Sequence, residues 1–215
     1  MLVLAHTGIT LGATLLLKGT LGGYYSHSPG HNKLPRNAKN LPAPLVASNT
    51  PFLKGRFSFH SLANYLDIRL LLLGSLLPDI IDKPVGQFIF RDIFSNGRIF
   101  SHTLLFLVLL SIAGYIIYRS RQKTGLLAIA FGTFMHLLLD RMWLEPKTLF
   151  WPALGLSFPQ ISLSNWTQNI FQGLLNIPEI FIPEIIGLAI LVIFTIMLIR
   201  RKSILPFIIK GQIEQ

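Results

Sequence analysis

The 215-residue chain has no cysteine, few acids and little charge of any sign. Without cysteine there is no disulfide framework and no thiolate metal site, so a metal would have to be held by His, Asp and Glu. Asp and Glu together number nine, and charged residues make up 13%. Soluble domains carry roughly a quarter. With 51% hydrophobic residues and a mean hydropathy of +0.56, the composition points to an integral membrane protein. No Lys or Arg precedes the first apolar run, so residues 2–22 read as a retained span and not as a cleaved signal. No strong internal repeat is present, and the chain reads as one domain over 1–215.

Five apolar segments approach the roughly 17–25 residues that cross a bilayer: 2–22, 62–78, 102–118, 125–140 and 180–199. They predict an all-α, multi-pass bundle. The second is the weakest, because Asp67 and Arg69 fall in its first turns, and it also fits a half-buried hairpin element. Gly8 and Gly12 in the first have the small-xxx-small spacing that lets helix backbones approach. Residues 24–61 are rich in Pro, Ser, Asn and Lys and read as a long, basic, flexible loop. Residues 141–179 read as an irregular loop, within which "SNWTQNIFQGLL" fits a short interfacial helix.

With alternating spans, one side holds twelve Lys and Arg (loops 24–61 and 119–124, and the tail) and the other holds five. The positive-inside rule places the richer side in the cytoplasm of a prokaryotic cell membrane. The amino terminus is then outside and the carboxyl terminus inside. The formal net charge of +10 is better explained by this topology and by anionic lipid than by nucleic acid, and no nucleic-acid partner is expected.

The same topology brings the metal-competent side chains to one membrane level. His6 lies near the outer end of the first span and Asp79 and Asp82 at the outer end of the second. His102 opens the third, with Ser101 as its expected N-cap, and His136 and Asp140 close the fourth. "HLLLD" puts His136 and Asp140 at i and i+4, on one helical face, and "PDIID" puts Asp79 and Asp82 at i and i+3. His6, Asp79, His102, His136 and Asp140 are the expected ligands. Oxygen and imidazole donors suit Zn²⁺ best, with Mn²⁺ or Fe²⁺ as alternatives. Asp82 or Glu145 is the expected proton acceptor, and Arg98 would bind a phosphate or carboxylate. Asp82, beside Lys83 and one turn further out, is expected to be more solvated than Asp79. Any one of these groups alone is equally explained by hydrogen bonding inside a helix bundle. His27 and His31, with "SPG" between them, do not share a helix, and His60 reads as a loop residue.

Four motifs carry a resemblance: "LAHTGITLG", "GSLLPDIIDK", "RIFSHT" and "HLLLDRMWLEPKTLFWP". Together they resemble the YdjM-like family of LexA-binding, inner-membrane-associated, metal-dependent hydrolases. Lys83 stands where that family's "DIDH" has its histidine, and Gly97-Arg98 stands where His-Arg is usual. The resemblance implies a metal-dependent hydrolase site on His6, Asp79, His102, His136 and Asp140, and a cytoplasmic LexA-type contact. The His and Asp order is also similar to zinc-dependent phospholipase C, which implies a phospholipid or other phosphoester substrate. The reading is therefore a membrane-bound hydrolase with its site at the outer interface and membrane lipids as partners. The alternative is a non-catalytic metal protein, either a structural staple or a cation transporter.

Overall fold

The computed structural model describes residues 3–25, 67–160 and 176–211. Among these, every regular element is helical. Five helices are long: α1 (Val3–Tyr25), α2 (Ile68–Pro84), α4 (Leu104–Arg121), α5 (Gly125–Leu139) and α7 (Pro178–Arg200). Three are short: α3 (Arg91–Phe94), α6 (Pro146–Leu149) and α8 (Ile204–Lys210). Most of loop 24–61, with His27, His31 and His60, lies outside the described residues, as does the expected interfacial helix.

The long helices form two close pairs, α2 with α5 and α7 with α1; α4 packs on α5, and α1 joins the pairs through α2. Both pairs touch backbone to backbone. A Cβ on Gly74 would stand 2.2 Å from the Ile129 carbonyl oxygen, and one on Gly8 would stand 2.1 Å from that of Gly187. Lipid is as apolar as leucine, so helices in a bilayer associate through this kind of close packing.

The second segment is displaced from its expected bounds, and the cause is local. Asp67 is its N-cap, accepting the Arg69 amide at 2.9 Å, so the acid that weakened the segment instead starts the helix. Pro78 does not end it. Proline removes the bond to the carbonyl four residues earlier, here that of Gly74. Thr133 of α5 donates its hydroxyl to that oxygen at 3.2 Å. The helix thus runs through Pro78 to Pro84 and closes in a π-helical turn, Val85–Ile89.

Two helices among the described residues, α4 and α7, are long and apolar enough to cross a membrane, with hydropathies of 1.5 and 2.6. Only 6% and 22% of those stretches are buried inside the protein, so they are not core helices of a soluble fold. Val3–Leu17 and Gly125–Leu139 are shorter apolar helices.

Candidate metal centre

Three imidazoles and three carboxylates meet at one end of the bundle, and each is set by its element. His136 sits in the last turn of α5, facing α2. Its Nδ1 is 2.7 Å from the Ser75 carbonyl oxygen, which can only accept. The Nδ1 proton is therefore fixed, and Nε2 is left with its lone pair. His102 lies just before α4, whose N-cap is Thr103 and not Ser101; the Ser101 hydroxyl donates to the Pro78 carbonyl at 3.0 Å. His102 Nδ1 is 2.7 Å from Asp82 Oδ2. A carboxylate also only accepts, so here too Nε2 is free.

The two free Nε2 atoms face each other at 3.2 Å. Two opposed lone pairs at that distance repel unless a positive charge lies between them. Two His nitrogens bound to one tetrahedral Zn²⁺ at about 2.0–2.1 Å stand about 3.3 Å apart. Asp79 Oδ1 is 3.7 Å from His102 Nε2 and 3.9 Å from His136 Nε2. It is too far to hydrogen-bond to either ring and within reach of an ion held by both. A shared proton would also join the two rings, with Asp79 as its counter-charge, but it would leave Asp79 Oδ1 short of hydrogen-bond contact with either ring.

A second group adjoins. The His6 ring stacks on His136 with centroids 4.1 Å apart, and His6 Nε2 lies 3.1 Å from Asp140 Oδ1. His6 is fully buried, yet neither ring nitrogen makes an aligned hydrogen bond. The donor atoms of His6, His136 and Asp140 lie within 4.8 Å of one another, as do those of Asp79, His102 and His136. One lone pair binds one ion, so His136 cannot serve both groups at once. Five expected ligands thus surround one region, and their chemistry fits a divalent cation.

The carboxylates divide the work. Asp82, contrary to the sequence expectation, is fully buried, because the 95–101 loop folds over it. It accepts the amides of Ile99, Ser101 and His102 at 2.8, 3.0 and 3.2 Å. With the His102 ring added, Oδ2 meets four donors and Oδ1 one, all from the protein, so this buried carboxylate holds the ring and the loop over it. Asp79 keeps Oδ1 toward the rings, while Oδ2 is held by Lys83 at 2.6 Å. Asp140 accepts from Arg98 Nε on Oδ2 at 3.0 Å, and Arg98 Nη1 donates to Glu145 at 2.6 Å. Burial alone would lower the Arg98 pKa, but the two carboxylates outweigh it and hold the guanidinium above its ordinary value. The Arg98 charge is thus already matched.

Two participants are absent from the sequence reading. Ser75 contributes only its carbonyl, which no side-chain pattern reveals. Glu184 is buried in α7 and accepts the Ala5 amide at 3.2 Å, satisfying a first-turn donor of α1 beside His6. An acid inside the most apolar run was a usable signal for it.

The described chain is an all-helical membrane-type bundle with a buried His/Asp cluster able to hold a metal ion. It belongs to the YdjM inner membrane protein family, whose model matches residues 1–205. No curated protein and no solved structure matches it.

Proposed function

We propose that the protein is a membrane-embedded, divalent-metal-dependent hydrolase acting on a phosphoester carried by a membrane lipid, with Zn²⁺ as the preferred ion. The observation that carries this reading is the pair of opposed Nε2 lone pairs at 3.2 Å with Asp79 beside them. His102, His136 and Asp79 would hold the ion, with His6 and Asp140 completing the centre. A divalent ion there supplies Lewis acidity and an acidified water. The chain's own groups do the rest. Asp82 and Ser75 fix the tautomers and orientations of the two rings, and such outer partners matter nearly as much as the ligands. Arg98 ties Asp140 to Glu145. Glu145 Oε2 has no protein partner among the described residues, which makes this half-buried carboxylate the better proton acceptor of the two expected ones. A cleft next to the centre favours a catalytic role over a closed staple.

The test is metal analysis of the detergent-purified chain together with phosphodiesterase assays before and after chelation. Bound Zn²⁺, and turnover lost with it and restored by it, are expected. Metal without turnover on any lipid phosphoester would leave a staple.

The five long helices are read as five spans, amino terminus outside. Single cysteines at Asn40 and Ser157 should then react with an impermeant thiol reagent from opposite sides of the membrane. Reaction of both from one side would overturn the orientation.

A further inference from the structure

A cleft of about 360 Å³ opens where the end of α5 meets the start of α7, beside Asp140 and Arg98. Leu139, Ile177 and Ile180 supply its apolar wall. Its remaining lining residues, Arg141 and Glu179, belong to no part of the centre described above. Neither has an ion-pair or side-chain hydrogen-bond partner among the described residues. Opposite charges on two exposed side chains therefore line one cleft without forming an ion pair. Arg141 also occupies a left-handed backbone position, φ 53°, immediately after the α5 C-cap, where glycine is the usual residue.

The position of the cleft says what can reach it. α5 packs on α2 and α4, and α7 packs on α1, so the cleft lies between two helices that belong to different pairs. α5 has only 15 residues. At 1.5 Å per residue it is about 22 Å long, short of the roughly 30 Å hydrocarbon thickness. If the basic 119–124 loop marks one membrane face, the α5 end and the cleft lie below the headgroup level of the other. A solute in water would have to cross that depth, whereas a lipid need only move sideways.

The geometry points to a headgroup pocket for a zwitterionic phospholipid, entered from the bilayer between α5 and α7. The phosphate lies between the metal centre and Arg141, the headgroup ammonium lies on Glu179, and the acyl chains leave along Ile177, Ile180 and Leu139. Charge matching selects this class. Arg98 is already paired with two carboxylates, so among the described residues that line the cleft Arg141 is the cation left for a phosphate. Glu179 and Arg141 are both exposed in the cleft, and an anionic headgroup without an ammonium would meet the Glu179 carboxylate, an unfavourable like-charge contact. The volume lies at the small end of ligand pockets and suits a headgroup better than a whole lipid.

This inference rests on the hydrolase reading for its purpose, so it is tested by binding and not by turnover. The full chain, purified in detergent, is titrated calorimetrically with dihexanoyl phosphatidylethanolamine, dihexanoyl phosphatidylglycerol and soluble phosphoethanolamine. The ethanolamine lipid should bind about tenfold more tightly than the glycerol lipid. Glu179→Gln should remove that preference while leaving the glycerol lipid bound at least as well. Arg141→Gln should weaken both lipids about tenfold, and Arg141→Lys should keep most of the binding, separating charge from folding. Equal affinities in the unaltered chain, or a preference that survives Glu179→Gln, would overturn the headgroup assignment. Phosphoethanolamine binding as tightly as its lipid would overturn entry from the bilayer. Selective lipid binding without hydrolysis would leave this site standing and remove the hydrolase reading instead.

Discussion

The two ends of the bundle are equally buried and differently held. At the end away from the centre, Leu11, Ile68, Phe194 and Leu198 fill the junction of α1, α2 and α7. Arg69 closes that end by pairing with Asp67 and donating to the Ile208 and Ile209 carbonyls at the end of α8. At the other end His6, Asp82, His102 and His136 are just as hidden, but the last three are fixed by directed hydrogen bonds and His6 by its stacking on His136 and its approach to Asp140. The apolar cluster beneath Arg69 depends on shape alone. A smaller apolar residue there loses dispersion contacts and nothing else. The polar end depends on partners, and removing one leaves another buried and unmatched.

The largest expected effect is therefore at the polar end. Asp79→Asn keeps the volume and removes the charge that would balance a cation held by two rings. Bound metal and activity should fall to background together, while the helical circular dichroism signal remains. Metal retained at full stoichiometry in Asp79→Asn would show that Asp79 is not a ligand. The same measurement on His136→Ala should also give background metal, because that ring takes part in both donor groups.

A smaller effect at the same end is expected from Asp82. Outer partners of metal-bound histidines typically contribute 10–100-fold in affinity. In Asp82→Asn the amide can still accept from one ring or backbone donor, but it brings an N–H₂ group into a pocket lined by the amides of Ile99, Ser101 and His102. Metal should still bind, with affinity lowered about 10–100-fold in competition with a chelator. Loss as complete as in Asp79→Asn would mean that Asp82 is itself a ligand.

Most of the architecture was legible, because long apolar runs report directly on helices in a bilayer. So was the convergence of His6, Asp79, His102, His136 and Asp140, because successive helices that run back and forth bring ends of one parity to one end of the bundle. What failed to read was local and depended on partners. The second segment was expected to close at Pro78, whereas the helix runs on because the carbonyl that Pro78 frees on Gly74 is satisfied by Thr133, distant in sequence. Asp82 looked solvated because Lys83 follows it, whereas the 95–101 loop buries it and Lys83 reaches back to Asp79. Gly8 was visible as a close-approach site, but its partner Gly187 was not, since pairing between α1 and α7 leaves no mark in either segment alone.

The smallest effect should come from the apolar end, where the comparison is sharpest. Leu11 is fully buried against α2 and α7. Leu→Ala in a soluble core costs about 2–5 kcal/mol, part of it the transfer of the side chain out of water. Inside a bilayer that part is small, because the helices are surrounded by lipid whether or not they are packed. The remaining loss is the packing itself, so Leu11→Ala should cost about 2 kcal/mol, the low end of that range. It should lower the thermal midpoint in detergent and leave metal stoichiometry unchanged, since His6 is more than one turn away on the same helix and is held by its own neighbours. Loss of metal in Leu11→Ala without loss of helix would mean that the two ends are coupled through α1, and that the centre depends on the seating of that helix as well as on its own contacts.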